Sequence, residues 1–261
     1  MQESVVCHRD GYLTSFRDHR TVRLPSVKDR RHTVDLSPVT ETDPAPAPFA
    51  VLWDMDGTIV DTEPYWMIAQ GELVASYGGT WTHEAAMTLV GSGLDRTARI
   101  LQEFGVRMEG DAIIELLSSR VMDQVTERAP WRPGAVEMLR ELHDAGVPQA
   151  LVTMSIGRMA HHIAGLLPFE PFAAVVSADD VTEMKPHPEP YLRAADALGV
   201  DISRCVAIED SVTGVTSAVA SGAAVVGVQH LLPLDDSGAH VVWPTLDGHR
   251  AAELGAMLVR A

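Results

Sequence analysis

The sequence predicts an α/β protein, with a doubly wound, mostly parallel sheet and an inserted α-helical domain. Three observations support this fold class. A short apolar run over residues 49–53 ends in the carboxylates of Asp54 and Asp56, as a buried parallel strand does at its carboxyl end. Residues 63–131 then show helical patterns and no convincing strand. From residue 133 to residue 228, helical and strand patterns alternate, which implies right-handed crossovers within one parallel sheet.

Residues 1–48 form a separate segment in front of the predicted fold. Basic and acidic residues are equal in number there, so the formal net charge of -16 resides in the rest of the chain. Residues 1–42 lack periodic apolar faces, which predicts mostly disordered chain. The repeated prolines of residues 43–48 predict a semi-rigid extended linker.

Composition limits the classes of partner and compartment. With 261 residues and an apolar fraction of 46%, the chain can bury a full core and a second, smaller domain. Its acidic balance argues against binding to nucleic acid or to anionic membranes. No apolar run reaches membrane-span length, residues 1–30 do not resemble a signal peptide, and Cys7 and Cys205 do not form a disulfide framework. We therefore expect a cytoplasmic protein. The sequence does not determine the oligomeric state, for which we favour a monomer.

The first helix of the inserted stretch begins near Pro64 and ends at Gly78-Gly79. Its apolar stripe consists of Trp66, Ala69, Leu73 and Tyr77. Three further helices are predicted near residues 82–90, 94–104 and 111–127. Because these helices follow the carboxylate turn directly, they predict an α-helical cap over residues 63–131, inserted between core residues 49–62 and 132–261.

The remaining elements alternate in type. Helices are predicted over residues 133–145, 156–166, 188–198 and 212–221, and strands over residues 149–153, 173–177, 204–208 and 224–228. In a doubly wound sheet, ligands bind beyond the carboxyl ends of the strands. The residues that follow each strand are therefore the candidate site.

Carboxylates follow two of these strands. Asp54 and Asp56 lie two positions apart, so they share one side of an extended segment, and two carboxylates this close require a cation or a shared proton. Glu209 and Asp210 follow a later strand, where a bound cation would offset the cost of burying them. An ordinary Asp-Gly turn and a helix amino terminus are the alternative explanations of the two pairs.

Groups suited to an anion follow the other strands. Thr153 and Ser155 precede a helix, where hydroxyl and backbone N–H groups can hold a phosphate oxygen, although a simple helix cap explains them as well. Lys28 and Lys185 are the only lysines of the chain. A compact ammonium at position 185 suits a narrow pocket shared by phosphate and carboxylate better than a guanidinium does; a solvated loop lysine is the alternative.

Four segments resemble the four motifs of the haloacid dehalogenase superfamily, in the order found in that family. They are Asp54-Met55-Asp56-Gly57-Thr58, Leu151-Val152-Thr153-Met154-Ser155, Lys185-Pro186-His187-Pro188-Glu189-Pro190-Tyr191 and Ile208-Glu209-Asp210-Ser211. The resemblance extends over about residues 49 to 230. It includes the α-helical cap of the branch that contains β-phosphoglucomutase and many sugar-phosphate phosphatases.

The resemblance implies a role for each motif residue. Asp54 would be the nucleophile that becomes an aspartyl phosphate, and Asp56 the general acid/base. Thr153 and Lys185 would act in catalysis and, with Ser155, bind the phosphoryl group. Mg²⁺ would be held by Asp54, the backbone carbonyl of Asp56, Glu209 and Asp210.

The implied function is a Mg²⁺-dependent phosphatase of a small phosphorylated metabolite such as a sugar phosphate. A β-phosphoglucomutase-like mutase is the alternative, but Thr58 and Trp66 stand where those mutases commonly have Val and a cap histidine, which favours hydrolysis. Met154 replaces the usual Asn of the second motif. The glycines before Arg96 would let this residue reach substrate from the cap. An alternative of another class is a regulatory member that uses residues 1–48 to bind a phosphoprotein or another partner.

Overall fold

The computed structural model describes residues 6–7, 12–14, 21–23, 49–90 and 92–258. The chain forms two compact units, residues 1–45 and residues 46–261. In the first unit, β1 (Val6–Cys7), β2 (Tyr12–Thr14) and β3 (Thr21–Arg23) pair antiparallel in that order.

These eight residues lie in the segment that the sequence predicts to be mostly disordered, and they form strands. Their aromatic and β-branched residues, among them Tyr12 and Val22, favour extended backbone, and a hairpin needs only short runs of them. The rest of the segment that we expected to be disordered, and its proline-rich linker, lie outside the described residues.

A six-stranded parallel sheet forms the centre of the second unit. Its strands are β4 (Ala50–Trp53), β5 (Gln149–Val152), β6 (Ala174–Val176), β7 (Cys205–Glu209), β8 (Ala224–Val228) and β9 (Val241–Trp243). They lie in the order β6-β5-β4-β7-β8-β9, and each adjacent pair is parallel. The chain therefore builds the sheet outward from β4 in one direction and then in the other, which confirms the predicted doubly wound fold.

Nine helices of the described residues surround and extend this sheet. Five lie between β4 and β5: α1 (Glu63–Ser76), α2 (His83–Met87), α3 (Leu94–Glu103), α4 (Gly110–Glu127) and α5 (Ala135–Asp144). The other four are α6 (Gly157–Gly165), α7 (Glu189–Leu198), α8 (Val212–Ser221) and α9 (Ala251–Met257). None of the described helices is both long and apolar enough to cross a membrane.

Alternate residues of β4 face two different layers of the core. Val51 and Trp53 pack in a cluster that includes residues of α5, α6 and α9, whereas Ala50 and Leu52 pack in a cluster that includes residues of α7 and α8. All four residues are fully buried. This explains the continuous apolar run of the sequence, since a strand covered by helices on both faces has no solvated side.

The helices α1 to α4 pack on one another through buried apolar side chains. Leu73 of α1, Leu101 of α3 and Leu117 of α4 are each at most 2% exposed and belong to one cluster. The described part of residues 63–127 therefore forms four helices joined by short loops, as the sequence predicts. The division of the second unit into a core and a cap stays a prediction.

Candidate active site

The carboxyl ends of β4, β5 and β7 lie side by side, since β4 pairs with β5 on one side and with β7 on the other. The chain leaves β4 toward β5 and returns to the opposite side at β7, so this edge is the point where the strand order reverses. Ligands of open parallel sheets bind at such a point. The side chains that follow these three strands meet there.

A tight turn after Asp56 folds the chain back, so that Val60 forms a bridge with Asp56. The backbone N–H of Gly57 donates to the carbonyl of Val60 at 2.8 Å, and Gly57 has a φ of 87°. A Cβ at this position would overlap the carboxylate of Asp210. Glycine is therefore required both for the left-handed backbone and for the close approach of β7.

Lys185 lies at the centre of the buried charges. Its Nζ donates to Asp54 Oδ1 and to Glu209 Oε1, each at 2.7 Å, and to the carbonyl of Val152 at 2.9 Å. The side chains of Lys185, Asp54 and Glu209 are 5%, 11% and 0% exposed. One ammonium thus links the ends of β4, β5 and β7, and its three N–H bonds use all of its donors.

Glu209 is fixed by neighbours on both of its oxygens. Its Oε1 also accepts a hydrogen bond from the buried hydroxyl of Tyr191 at 2.7 Å, and its Oε2 accepts from the backbone N–H of Asp210 at 3.2 Å. A Cβ at Gly214 would overlap this carboxylate. Tyr191 closes the third motif segment, but sequence reasoning gave it no role, since nothing in the sequence indicates which strand a helix residue faces.

Three hydroxyls hold Asp56. Thr62 donates to its Oδ1 at 2.5 Å, and Ser155 and Thr153 donate to its Oδ2 at 2.8 Å and 3.2 Å. The structure therefore joins the first two predicted motifs directly. Thr62 was missed by sequence reasoning, because the turn of residues 57–60 that brings it back to Asp56 is a tertiary feature.

Burial governs the ionisation of this cluster. It raises the pKa of Asp54 from 3.8 to about 7, with Glu209 adding to the rise and Lys185 opposing it. Burial, with the charge of Asp54, also holds the pKa of Asp210 well above its usual range. Burial alone would lower the pKa of Lys185, but Asp54 and Glu209 outweigh it and raise the pKa, so Lys185 remains charged.

Three carboxylates of the cluster could hold a metal ion. Asp54, Glu209 and Asp210 each offer one oxygen, and the three oxygens lie within 4.8 Å of one another. Asp54 Oδ2 is buried and has no hydrogen-bond partner among the described residues. An orphaned carboxylate oxygen beside two further carboxylates fits a hard divalent cation, which prefers oxygen ligands.

A cavity of about 120 Å³ opens above these groups. Six of the predicted residues line it: Asp54, Asp56, Thr153, Ser155, Lys185 and Asp210. Glu209 lies beneath it, fully buried. Arg96 does not line the cavity in this structure; it is exposed, and its Nη1 lies 3.4 Å from the hydroxyl of Ser92. Its contact with substrate stays a prediction.

Residues 51–228 match a protein-family model described as "Haloacid dehalogenase-like hydrolase". The match covers more than half of the chain and includes all four motif segments. The chain belongs to this family. It is therefore an enzyme of the haloacid dehalogenase type, which confirms the resemblance found in the sequence, and residues 1–48 lie outside the matched part.

Two relatives of this haloacid dehalogenase-like hydrolase are named phosphatases. It is 33% identical to hexitol phosphatase A of Escherichia coli (strain K12) over 181 residues, which cover 68% of this chain and 81% of the relative. It is 31% identical to fructose-1-phosphate phosphatase YqaB of the same organism over 183 residues, 69% of this chain and 96% of the relative. Both alignments cover more than two thirds of each protein.

A solved structure supports the same assignment for the hydrolase. The crystal structure of CbbY from Rhodobacter sphaeroides in complex with phosphate superposes with a TM-score of 0.72 and 26% sequence identity. The superposition covers 79% of this chain and 99% of CbbY. The fold of the second unit is thus shared over nearly the whole length of that protein.

Proposed function

We propose that this enzyme is a phosphatase that hydrolyses a small sugar or sugar-alcohol phosphate through an aspartyl phosphate on Asp54. The observation that carries the proposal is the meeting of Asp54, Lys185 and Asp56 in one cavity, with Lys185 Nζ 2.7 Å from Asp54 Oδ1. A nucleophile, a cation for the phosphoryl group and a second carboxyl for proton transfer are the parts this reaction needs.

In the first step, a carboxylate oxygen of Asp54 attacks the phosphorus of the substrate. The bond from phosphorus to the alcohol oxygen breaks, and Asp56 gives its proton to that oxygen, so the alcohol leaves neutral. The Asp54 carboxylate and the phosphate group of the substrate are both anions and repel each other at this stage. Lys185 lowers the repulsion because its fixed ammonium lies beside the nucleophile and needs no reorganisation.

In the second step, water attacks the phosphorus of the aspartyl phosphate while Asp56 takes a proton from the water. The acyl phosphate bond breaks, which restores the Asp54 carboxylate and releases inorganic phosphate. Thr62 and Ser155 orient Asp56 for both transfers through hydrogen bonds of 2.5 Å and 2.8 Å. One carboxyl can therefore act first as acid and then as base.

Residues that bind the phosphoryl group and the metal surround this pair. Thr153, Ser155 and Lys185 line the cavity at the end of β5 and beside Asp54, where they can contact phosphoryl oxygens. Asp54, Glu209 and Asp210 would hold Mg²⁺, with the backbone carbonyl of Asp56 as a further ligand by resemblance to the family. When bound, Mg²⁺ adds positive charge against the developing phosphoryl charge.

Hydrolysis is favoured over phosphoryl transfer between sugars. Two relatives of this chain are named hexitol phosphatase A and fructose-1-phosphate phosphatase YqaB. Trp66, which is buried and lines the cavity, stands where counting from Asp54 without gaps would place the cap histidine of the mutases. The partner-binding alternative stays a prediction, because most of residues 1–48 lie outside the described residues.

Phosphate release from a panel of phosphorylated sugars and sugar alcohols, with and without Mg²⁺, tests the proposal. We expect Mg²⁺-dependent release that Asp54→Asn abolishes, while the control Asp144→Asn, at an exposed position of α5, retains it. Release that survives Asp54→Asn would refute the aspartyl phosphate. Conversion of a sugar 1-phosphate into its 6-phosphate without phosphate release would favour the mutase instead.

A further inference from the structure

Gln70 of α1 is a buried polar residue that the reaction above does not use. It lies one helical turn after Trp66, and both side chains line the cavity above Asp54. Gln70 is 5% exposed, and its amide Oε1 is buried without a hydrogen-bond partner among the described residues. Buried polar atoms are rarely left unpaired, so this acceptor calls for a donor that the described residues do not supply.

No described side chain on the cavity wall donates a hydrogen bond to Gln70 Oε1. Much of the wall is apolar and is formed by Leu89, Val90, Leu94, Met184, Leu231 and Leu232. The hydroxyls of Ser92 and Thr97 also line the cavity, but they donate to the backbone carbonyls of Thr88 and Gly93. Gln70, whose amide acceptor is unmet, therefore belongs to the wall of the space that substrate would fill.

We propose that Gln70 is a specificity-determining residue that accepts a hydrogen bond from a hydroxyl on the carbon skeleton of the substrate. The inference rests on the proposed phosphatase function and narrows its substrate class to polyhydroxylated phosphates. Lys185 and Thr153 line the same cavity at the phosphoryl end, so a substrate that reaches both ends carries phosphate at one end and a hydroxyl at the other. A hydroxyl is well suited to an amide, because it both donates and accepts.

Such a site discriminates against analogues that lack the hydroxyl. An apolar analogue would leave Gln70 Oε1 unpaired in the complex, whereas a hydroxylated substrate satisfies it. Sites built around a substrate hydroxyl therefore reject its deoxy analogue much more strongly than apolar pockets reject a change of one methylene. Gln70 would act on the choice of substrate, whereas Asp54 and Asp56 act on the phosphoryl group.

The test compares kcat/KM for a hexitol 6-phosphate with kcat/KM for hexyl phosphate, which has the same chain length and no hydroxyls. We expect Gln70→Leu to lower the ratio of the two values by roughly tenfold or more. Gln70→Met, which keeps the side-chain length, should do the same. The matched control is Gln102→Leu on α3, an exposed glutamine that donates to the carbonyl of Met108; it should leave the ratio within about twofold of the wild-type value.

Thermal unfolding without substrate supplies a second readout. Because Gln70→Leu removes an unmet buried acceptor, we expect its Tm to rise by roughly 2–4 °C. If Gln70 had only a structural role, the substitution would instead lower Tm and both kcat/KM values together. An unchanged ratio, or equal losses on both phosphates, would overturn the inference and leave the phosphatase function intact. Absence of phosphate release by the wild-type enzyme from every compound would overturn both.

Discussion

Lys185 Nζ lies 2.7 Å from Asp54 Oδ1 at the base of the cavity, and the two side chains are only 5% and 11% exposed. The same ammonium contacts Glu209 at 2.7 Å. Two buried carboxylates so close together are tolerated because a compact cation lies between them. This geometry explains why a chain with only two lysines places one here: the broad fork of an arginine does not fit a space shared by two carboxylates and a backbone carbonyl.

The first prediction follows from that pair. Lys185→Met should lower the free energy of unfolding by about 3–5 kcal/mol, because it leaves buried carboxylates without their counter-charge, and it should lower kcat by about 10²-fold or more. Urea unfolding and phosphate release measure the two effects. Arg193→Met is the control, since Arg193 is 52% exposed in its pair with Glu189 and should change neither quantity appreciably. A Lys185→Met protein as stable as the wild type would show that Lys185 is not the counter-charge that stabilises the buried carboxylates.

The second prediction concerns the close packing of Gly214 against Glu209. Alanine is normally a better helix residue than glycine, but a Cβ here would displace the buried carboxylate from Lys185 and Tyr191. We expect Gly214→Ala to lower the free energy of unfolding by about 1–3 kcal/mol and to reduce phosphate release.

Gly71→Ala on α1 is the matched control for this change. A Cβ at Gly71 would meet Trp81 Cδ1 at 3.6 Å, an ordinary contact, so the usual gain of about 0.5–1 kcal/mol should appear. Denaturant unfolding of both variants gives the comparison. The interpretation fails if the two substitutions shift stability in the same direction.

The third prediction is a pH dependence of stability in chelator-treated protein. The pKa of Asp54 is raised from 3.8 to about 7 in the fold. At a pH between these two values, Asp54 is therefore deprotonated in the unfolded chain and protonated in the folded chain. The contribution of Asp54 to stability is therefore present at low pH and is lost as pH rises from about 4 to about 7. The wild-type Tm should fall more between pH 5 and pH 8 than the Tm of Asp54→Asn, in which this group does not titrate.

Mg²⁺ supplies the complementary measurement. Its carboxylate ligands must be deprotonated, so the Tm increase on adding Mg²⁺ should be larger at pH 8 than at pH 5, and it should be small in Asp54→Asn at both values. Equal Tm increases for wild type and Asp54→Asn would exclude Asp54 as a ligand.

The strands that carry the site could be predicted from local sequence. The helix over residues 212–221 and the strand over residues 224–228 were predicted with the bounds that the structure has, because a Ser cap, a Gly end and a β-branched run mark them locally. By contrast, β9 (Val241–Trp243) and α9 (Ala251–Met257) were missed. The strand has three residues and exists through its pairing with β8, which no local pattern reveals.

The residues of the candidate site likewise fall into those that the sequence predicted and those that it did not. The carboxylates were predicted because they follow strands, and parallel strands bring their carboxyl ends to one edge. Lys185 was predicted because it is one of only two lysines in the chain. Thr62, Tyr191 and Gln70 were not, since each acts through a helix face or a turn whose orientation depends on tertiary packing. The substrate contact predicted for Arg96 stays a prediction, since its side chain is exposed in this structure and Arg96 does not line the cavity.

The fourth prediction separates the two roles assigned to Asp56. Asp56→Asn keeps the size of the side chain and an oxygen acceptor for Thr62, but it removes the proton that the leaving alcohol needs and the base that the water needs. A substrate with a good leaving group, such as p-nitrophenyl phosphate, needs little help in the first step. With it, Asp56→Asn should release a stoichiometric burst of p-nitrophenol and then turn over about 10²–10⁴-fold more slowly than the wild type.

The burst has a chemical signature that locates the phosphoryl group. During the slow phase, the Asp56→Asn chain should carry an acyl phosphate that hydroxylamine cleaves, because Asp54 can still attack while water is no longer activated. Asp54→Asn should show neither burst nor acyl phosphate, and Asp144→Asn should behave as the wild type. A steady wild-type rate in Asp56→Asn would remove Asp56 from proton transfer, whereas slow turnover without an acyl phosphate would mean that Asp56 is needed before the phosphoryl group reaches Asp54.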